Sequence, residues 1–593
     1  MYQGKYFPID NFAGGYAGNL PPTQIKLNQA ADLDNIIIKP QGLGFRTRPG
    51  TSKHSLAKLV IQDLTYTAKT IGSNGELITV AYTAGATAGA EVVTVVGTTI
   101  SIKIQTTVST ATQVKTAFDA SATAIALATC TITGTAGTAQ TAPVTAAPLA
   151  AVAALNSGVA IQGIGYIQIA AGGESLGIVC GAKFYGDVGI TGAAPGDYTS
   201  SITITAGADN KWRFLTFNDK LIGFGGPKAT PDAPFQWAGT ATNITALGGT
   251  APSAYGAFSA NNRVFAFRTS ANPSTIYWSA IGLPSDFAGT GSGSQTIGTL
   301  SDNQTVTAAC ILSTNYVLVF KENSTYQMVI SSAPFPVYTL FDKVGCAGKN
   351  AVVSVDGKAY WIDLNGDMFS TDGETLTNYP PSADNLWDTV LRAQYHNICG
   401  YHIKGKDYSW LVWTVTTTGS TNNTTIIWDL TNECWVKCST GFKMNCSGTT
   451  TRSEVFTGGY DGYVYRPLTE SCYFDGSETA PGTITGYWRS GWMNPSSADS
   501  IVQVKKLIVQ YKTKASGTVA LKYGFDFSAD HVSTTLSQVP TGSELYTSRQ
   551  ANLSGRGNFF QYYVGGSSST IDTDVDGVLL AGKAYGQKQL GSN

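Results

Sequence analysis

Few residues in this chain are spaced for chemistry. His396 and His402 flank Cys399 and Gly400, where an imidazole could activate a thiol. Nucleophilic catalysis also needs a group that orients the base. No such group is legible in the sequence, so both histidines read as ordinary strand residues. Asp363, Asp367 and Asp372 gather around Asn365-Gly366. A Ca²⁺ loop would need oxygen ligands at regular positions and a distal Glu. Only part of that set is present, and a hairpin turn on Asn-Gly explains the rest. Cysteines number nine with no C-x-x-C pair, Cys434, Cys438 and Cys446 being the nearest grouping. With four histidines in the whole chain, finger-like ligand sets do not form. The thiols read as free and mostly buried. Trp361, Trp410, Trp413, Trp428 and Trp435 fall inside apolar runs and read as core rather than as a sugar-stacking platform.

Ser370-Thr371-Asp372-Gly373-Glu374-Thr375 resembles the Asp box of sialidase-like propellers. The box places a residue between Asp and Gly and ends in an aromatic, and both features are missing here. Even a true box is a turn capped by its Asp, so a structural role is expected. Paired carboxylates for glycoside cleavage would meet across different strands, which 39 acidic residues leave open. The phosphate-cradling pattern G-x-x-x-x-G-K-[ST] does not occur. No catalytic, metal-binding or cofactor-binding residue is therefore named, and no cofactor is expected.

The elements that would position such groups are short strands. Charged residues make up 13% of 593 residues, about half the ~25% usual for globular chains, while aromatics reach 11%. That combination describes many strands joined by tight turns around an aromatic core. The formal net charge of −1 gives no basic balance for gripping phosphates. No apolar run approaches the ~20 residues of a membrane span. The start, Met1-Tyr2-Gln3-Gly4-Lys5-Tyr6, lacks the head and core of a signal peptide. Synthesis in the cytoplasm follows as an expectation.

Four regions are expected: 1–70, 71–155, 156–475 and 476–593. Residues 71–155 hold five charges, Glu76, Glu91, Lys103, Lys115 and Asp119. A hairpin over 92–104, a helix over 110–118 with Val114 and Phe118 on one face, and a strand over 128–133 mark a small inserted β-sandwich-like module. From 156 a hairpin recurs. Its markers Leu176, Leu221, Val264, Val317, Ala359, Trp410 and Tyr463 lie 45, 43, 53, 42, 51 and 53 residues apart. Propeller blades recur every ~40–50 residues, whereas a string of immunoglobulin-like sandwiches would space them by ~100. The reading is a mostly-β chain with a six- or seven-bladed β-propeller. A strand near Ile36–Ile38, within the 1–70 segment, could close the ring. Long strands over 501–511, 518–523, 559–564 and 575–580 indicate a C-terminal β-sandwich-like region.

Several segments, taken in order, carry a resemblance. Asn11-Phe12-Ala13-Gly14-Gly15, Gln29-Ala30-Ala31-Asp32-Leu33-Asp34-Asn35 and Phe45-Arg46-Thr47-Arg48-Pro49-Gly50 resemble the start of the tail nozzle proteins of short-tailed bacteriophages, also called tail tubular protein B or packaged-DNA stabilisation proteins. Asn262-Arg263-Val264-Phe265, Ile276-Tyr277-Trp278-Ser279, Pro284-Ser285-Asp286-Phe287, Val317-Leu318-Val319-Phe320-Lys321, and Ile427-Trp428-Asp429-Leu430 with Cys434-Trp435 resemble its middle. The resemblance implies a structural protein of the virion tail and not an enzyme. It implies a homohexameric ring below the portal and adaptor that closes the DNA channel and conducts DNA at ejection. Its partners would be its own copies, the adaptor and portal, tail fibres or spikes, and genomic DNA passing without sequence-specific contacts. The family's gate is made by variable loops, so no gate or adaptor-contact residue is named. The rival reading is a phage-associated propeller that binds or degrades polysaccharide.

Overall fold

The computed structural model describes residues 5–585 apart from 152–153, 171, 194, 300–301, 380–383, 440–443, 470–473, 476–481, 495–500, 514–517, 529–530, 538–546 and 569–572. Seven four-stranded antiparallel sheets follow one another as propeller blades. Their first strands are Ile161–Gln168, Trp212–Phe217, Gly256–Ala260, Val306–Ile311, Val352–Val355, Cys399–Lys404 and Met444–Thr449. Each first strand packs against the next, and the seventh packs against the first, so these strands line the axis of a closed ring.

Local sequence explains the recurring hairpin. Asn218-Asp219, Asn261-Asn262 and Asp356-Gly357 each place two consecutive residues at positive φ between the first and second strands of their blades. That is the turn whose twist matches paired strands, and Asn, Asp and Gly tolerate it best. Six of the seven repeat markers sit on second strands. Tyr463 does not. It lies in the turn between the second strand of blade 7, Val455–Gly459, and the third, Val464–Thr469.

Seven blades are present, and the ring closes with a strand from far upstream. Gly50–Lys53 pairs with Val464–Thr469, Tyr465 facing Lys53 and Thr469 facing Gly50, as the fourth strand of blade 7. Ile36–Ile38, expected near this position, is elsewhere. All three isoleucines are fully buried, and the strand pairs with Phe45–Thr47 in a different sheet. A strand apolar on both faces needs cover on both, and it finds that between two sheets rather than at a blade's outer edge.

Those two sheets draw on both ends of the chain. One orders Ile36–Ile38, Phe45–Thr47, Thr573–Tyr585, Ile501–Thr513 and Thr547–Asn552, with Lys5–Ile9 on Thr573–Tyr585. The other orders Gly15–Tyr16, Gln29–Asp34, Gly482–Ser490, Phe560–Ser568, Thr518–Phe525 and Val532–Ser537. Phe12, Leu33, Phe45, Trp488, Leu507, Leu521 and Val564 share one core with blades 5 and 6. The expected C-terminal sandwich is thus half of a structure that the N-terminal segment completes, with Gly15–Tyr16 and Gln29–Asp34 abutting the outer strand of blade 6, Cys434–Cys438.

The inserted module has its own core, with Tyr66, Tyr82, Ile102, Val114 and Phe118 fully buried. It comprises two four-stranded sheets, whose faces meet where the Tyr66 and Tyr82 hydroxyls bond at 2.7 Å. Its helix Ala111–Ala120 starts at a capping box between Thr110 and Gln113, with Val114 and Phe118 turned inward as their spacing requires. Its first strands, Leu56–Ile61 and Leu64–Ile71, lie upstream of the expected boundary at 71. Lys58, Asp63 and Lys69 give that stretch an ordinary charge content, so composition changes one hairpin later than the fold does.

Candidate functional site

The residues singled out for chemistry do not assemble into a catalytic group. The Cys399 thiol is buried, its pKa raised by that burial, and its contact is with the Ser447 hydroxyl at 3.9 Å. His402 bonds Ser409 at 2.9 Å, and burial lowers its pKa. His396 lies 3.6 Å from Asp209 instead. Asp363 accepts from the backbone N–H groups of Asn365 and Asp367 at 2.8 and 2.9 Å. Asp372 accepts from those of Thr375 and Glu374, which hold its carboxyl at about 2. Each carboxylate caps its own turn. The chain also contains one Gly-x-Ser-x-Gly spacing, Gly173-Glu174-Ser175-Leu176-Gly177. Ser175 lies within a blade strand and is buried, donating to the Gly239 carbonyl at 2.7 Å, rather than standing on a strand-to-helix turn.

The eight described cysteines are free and buried, Cys472 lying outside the described residues. Among the described residues no three His, Cys, Asp or Glu side chains gather as a metal site. Trp361, Trp410 and Trp413 are fully buried, and Trp428 and Trp435 nearly so. No helix among the described residues is long and apolar enough to cross a membrane.

The polar residues that do converge come from different blades and meet on the propeller axis. Lys349, preceding blade 5, donates to the carbonyls of Lys211 and Tyr255, at the starts of blades 2 and 3. Lys211 donates to Asn445 of blade 7 through both its carbonyl and its side chain. Asn445 donates in turn to the Ile161 carbonyl of blade 1 at 2.8 Å. Asn397, preceding blade 6, donates to Asp209 at 2.7 Å. Lys211, Lys349, Asn397 and Asn445 are all essentially without solvent exposure. This knot plugs the axis.

The plug is rich in positive charge. Tyr255 lies between the Lys349 ammonium, 3.9 Å from its ring centroid, and the Arg268 guanidinium, 5.1 Å away. Burial pushes Lys211 down to about 8. It pushes Lys349 further, helped by repulsion from Arg213, Lys211 and Arg268.

On one side of the plug the axis opens into a funnel of about 270 Å³. Its wall includes Tyr166, Trp212, Arg213, Asn350, Ser447 and Thr449. Close approach of the inner strands shapes it: a Cβ on Gly448 would sit 2.8 Å from Ile164, and one on Gly165 would sit 2.5 Å from Phe214. A second hollow, about 300 Å³, lies on the sandwich among Asp32, Tyr487, Arg489, Lys522, His531 and Tyr563. There Asp32 accepts from Tyr487 at 2.8 Å and Lys437 at 3.0 Å, while Lys522 lies over the Tyr563 ring.

No family model and no curated protein matches the chain. Solved structures with some likeness are YCF48 bound to D1 peptide (11% identity, 54% of this chain and 94% of that one, TM-score 0.35) and the WD40 beta propeller domain of Doa1 (11%, 53% and 94%, 0.33). An exo-beta-1,3-galactanase from Phanerochaete chrysosporium aligns at 9% identity over 64% of this chain and 96% of its own, with a TM-score of 0.25. At these scores the likenesses carry no argument about activity.

The axial lysines were not legible as a site. Each is a single Lys before an apolar strand, the commonest surface pattern. Their one shared sequence feature is a position just ahead of an inner strand, visible only once the blade register is known.

Proposed function

We propose that the chain is a structural tail protein of a short-tailed bacteriophage, a subunit of the ring that closes the DNA channel below the portal and adaptor and conducts DNA at ejection. The observation that carries this reading is where the motifs of the resemblance lie. The three N-terminal segments, hundreds of residues from their partners, meet at the seam of ring and sandwich. Phe12 meets Phe45 and Trp488 edge-on at 5.2 and 5.0 Å. Arg48 forms a two-pronged bond with Asp475 at 2.9 and 2.6 Å and a third bond with Asn35. Asp34 accepts from the Ser439 backbone and hydroxyl. Motifs spent on joining domains fit a structural part better than a catalyst.

The plugged axis supports the same reading in a specific form. DNA would pass between subunits arranged around a common axis, not through any one propeller. A degrading enzyme would instead set two carboxylates on the funnel wall, and none of the described residues lining the funnel is Asp or Glu. The test is the solution mass of the purified chain, by light scattering, with and without its candidate adaptor ring. A particle near six times 62.3 kDa, alone or on the adaptor, is expected. A monomer that ignores the adaptor and binds polysaccharide would overturn the reading.

A further inference from the structure

We infer that the axial funnel of the propeller is a binding site for a compact oxyanion, the carboxylate or phosphate group of a ligand of about monosaccharide size, anchored by Arg213. This does not rest on the nozzle reading.

Arg213 starts on the inner strand of blade 2 and reaches past blade 3 to the Ala309 carbonyl of blade 4, bonding it through Nη1 at 2.9 Å. That bond fixes the guanidinium against the funnel wall. It leaves the other N–H groups without a partner among the described residues, and no described carboxylate forms an ion pair with it. A planar fork held by one prong presents the rest to an oxyanion in two-pronged geometry. Behind it stands Lys349, whose pKa is lowered by burial and further by the charges of Arg213, Lys211 and Arg268. Positive charge withdrawn from water without a counter-charge is costly, and an arriving anion offsets that cost.

The wall supplies what a bound acid needs besides charge. Asn350, Ser447 and Thr449 bring an amide and two hydroxyls, while Ile164, Trp212, Phe214 and Val352 bring apolar surface for the ligand's body. A volume of about 270 Å³ gives room for a small acid.

The test uses the whole chain in titration calorimetry at low ionic strength. Probes are inorganic phosphate, glucuronate and, as an uncharged control, glucose. Glucuronate or phosphate should bind and glucose should not. Arg213→Gln should weaken binding about tenfold or more, the scale of one hydrogen bond to a charged group, with its melting temperature close to wild type. Preference for glucuronate assigns the site to organic acids, and preference for phosphate assigns it to phosphate itself. Should Arg213→Gln fold poorly, Asn350→Ala and Thr449→Val replace it. Neither side chain carries a hydrogen bond among the described residues, and each should weaken binding several-fold. Absence of heat with both anions, or equal affinity in all the variants, overturns the proposal.

Discussion

The molecule buries charge in two places and by two different means. At the seam of ring and sandwich, Arg48 and Asp475 are paired. Burial alone would lower the Arg48 pKa, but Asp475 outweighs it and the guanidinium holds its proton more tightly than usual. Asp475 is correspondingly held below the ordinary carboxylate range, and also accepts from the Thr51 backbone and hydroxyl at 3.1 and 2.6 Å. On the propeller axis, Lys211 and Lys349 donate to amide and carbonyl oxygens, Lys349 also lies over the Tyr255 ring, and neither meets a carboxylate among the described residues. The first arrangement locks segments more than 400 residues apart, and the second keeps positive potential available on an axis. A buried pair is a fastener, whereas a buried unpaired cation is a reservoir of potential.

The comparison breaks most visibly at the pair. Arg48→Met should destabilise the protein by about 3–5 kcal/mol, because Asp475 is left charged and buried. Urea unfolding measures this, and adding Asp475→Leu should recover most of the loss. If the double variant is as weak as the single one, packing rather than charge holds the seam.

Alkali should come next. Burial raises the thiols of Cys130, Cys180, Cys346 and Cys438 from 9 to about 12. Between those values the unfolded chain has released protons that the folded chain retains, so stability falls as pH rises, by up to about 1.4 kcal/mol per pH unit for each thiol. Lys211 acts oppositely: its folded value of about 8 lies below 10.5, so its contribution rises with pH between the two. Lys349, lowered further still, acts in the same sense, and the four thiols outweigh the two amines. The melting temperature should drop steeply above pH 9, and more steeply in Lys211→Met.

A smaller effect is expected at the reservoir. Lys349→Met removes a desolvated amine and takes one donor from the Tyr255 carbonyl, while the Lys211 carbonyl keeps the Gly226 N–H at 3.3 Å. The terms nearly cancel, for a change under about 1.5 kcal/mol in urea. A cost as large as that of Arg48→Met would erase the distinction between the two sites. Replacing residues 57–150 with a short Gly-Ser linker should matter least. The module has its own core, so calorimetry should lose one transition and keep the rest.

Much of the ring was legible in the sequence because its hairpins are local. Asn261-Asn262 and Asp356-Gly357 announce their turns, and the apolar residues after them announce the second strands. What escaped is non-local. Gly50-Thr51-Ser52-Lys53 has no apolar alternation and closes the ring through a pairing visible only in three dimensions. The triple isoleucine at 36–38 is the better strand by propensity, which is why it drew the closing role that the polar segment holds. Arg48 and Asp475 look like surface residues until the fold brings them together.

The closing strand also sets an order of events during synthesis. Gly50–Lys53 emerges early, and its partner follows roughly 400 residues later. At about 5–20 residues per second that is a wait of about 20–80 s. Throughout it the early strand has an open edge, and the N-terminal strands lack the C-terminal ones they pair with. A chain stopped before Val464–Thr469 leaves its ring unsealed, and one stopped before Thr573–Tyr585 leaves its sandwich unfinished. Truncated products are thereby marked by exposed edges, and only a chain translated through to those strands presents a sealed subunit for assembly.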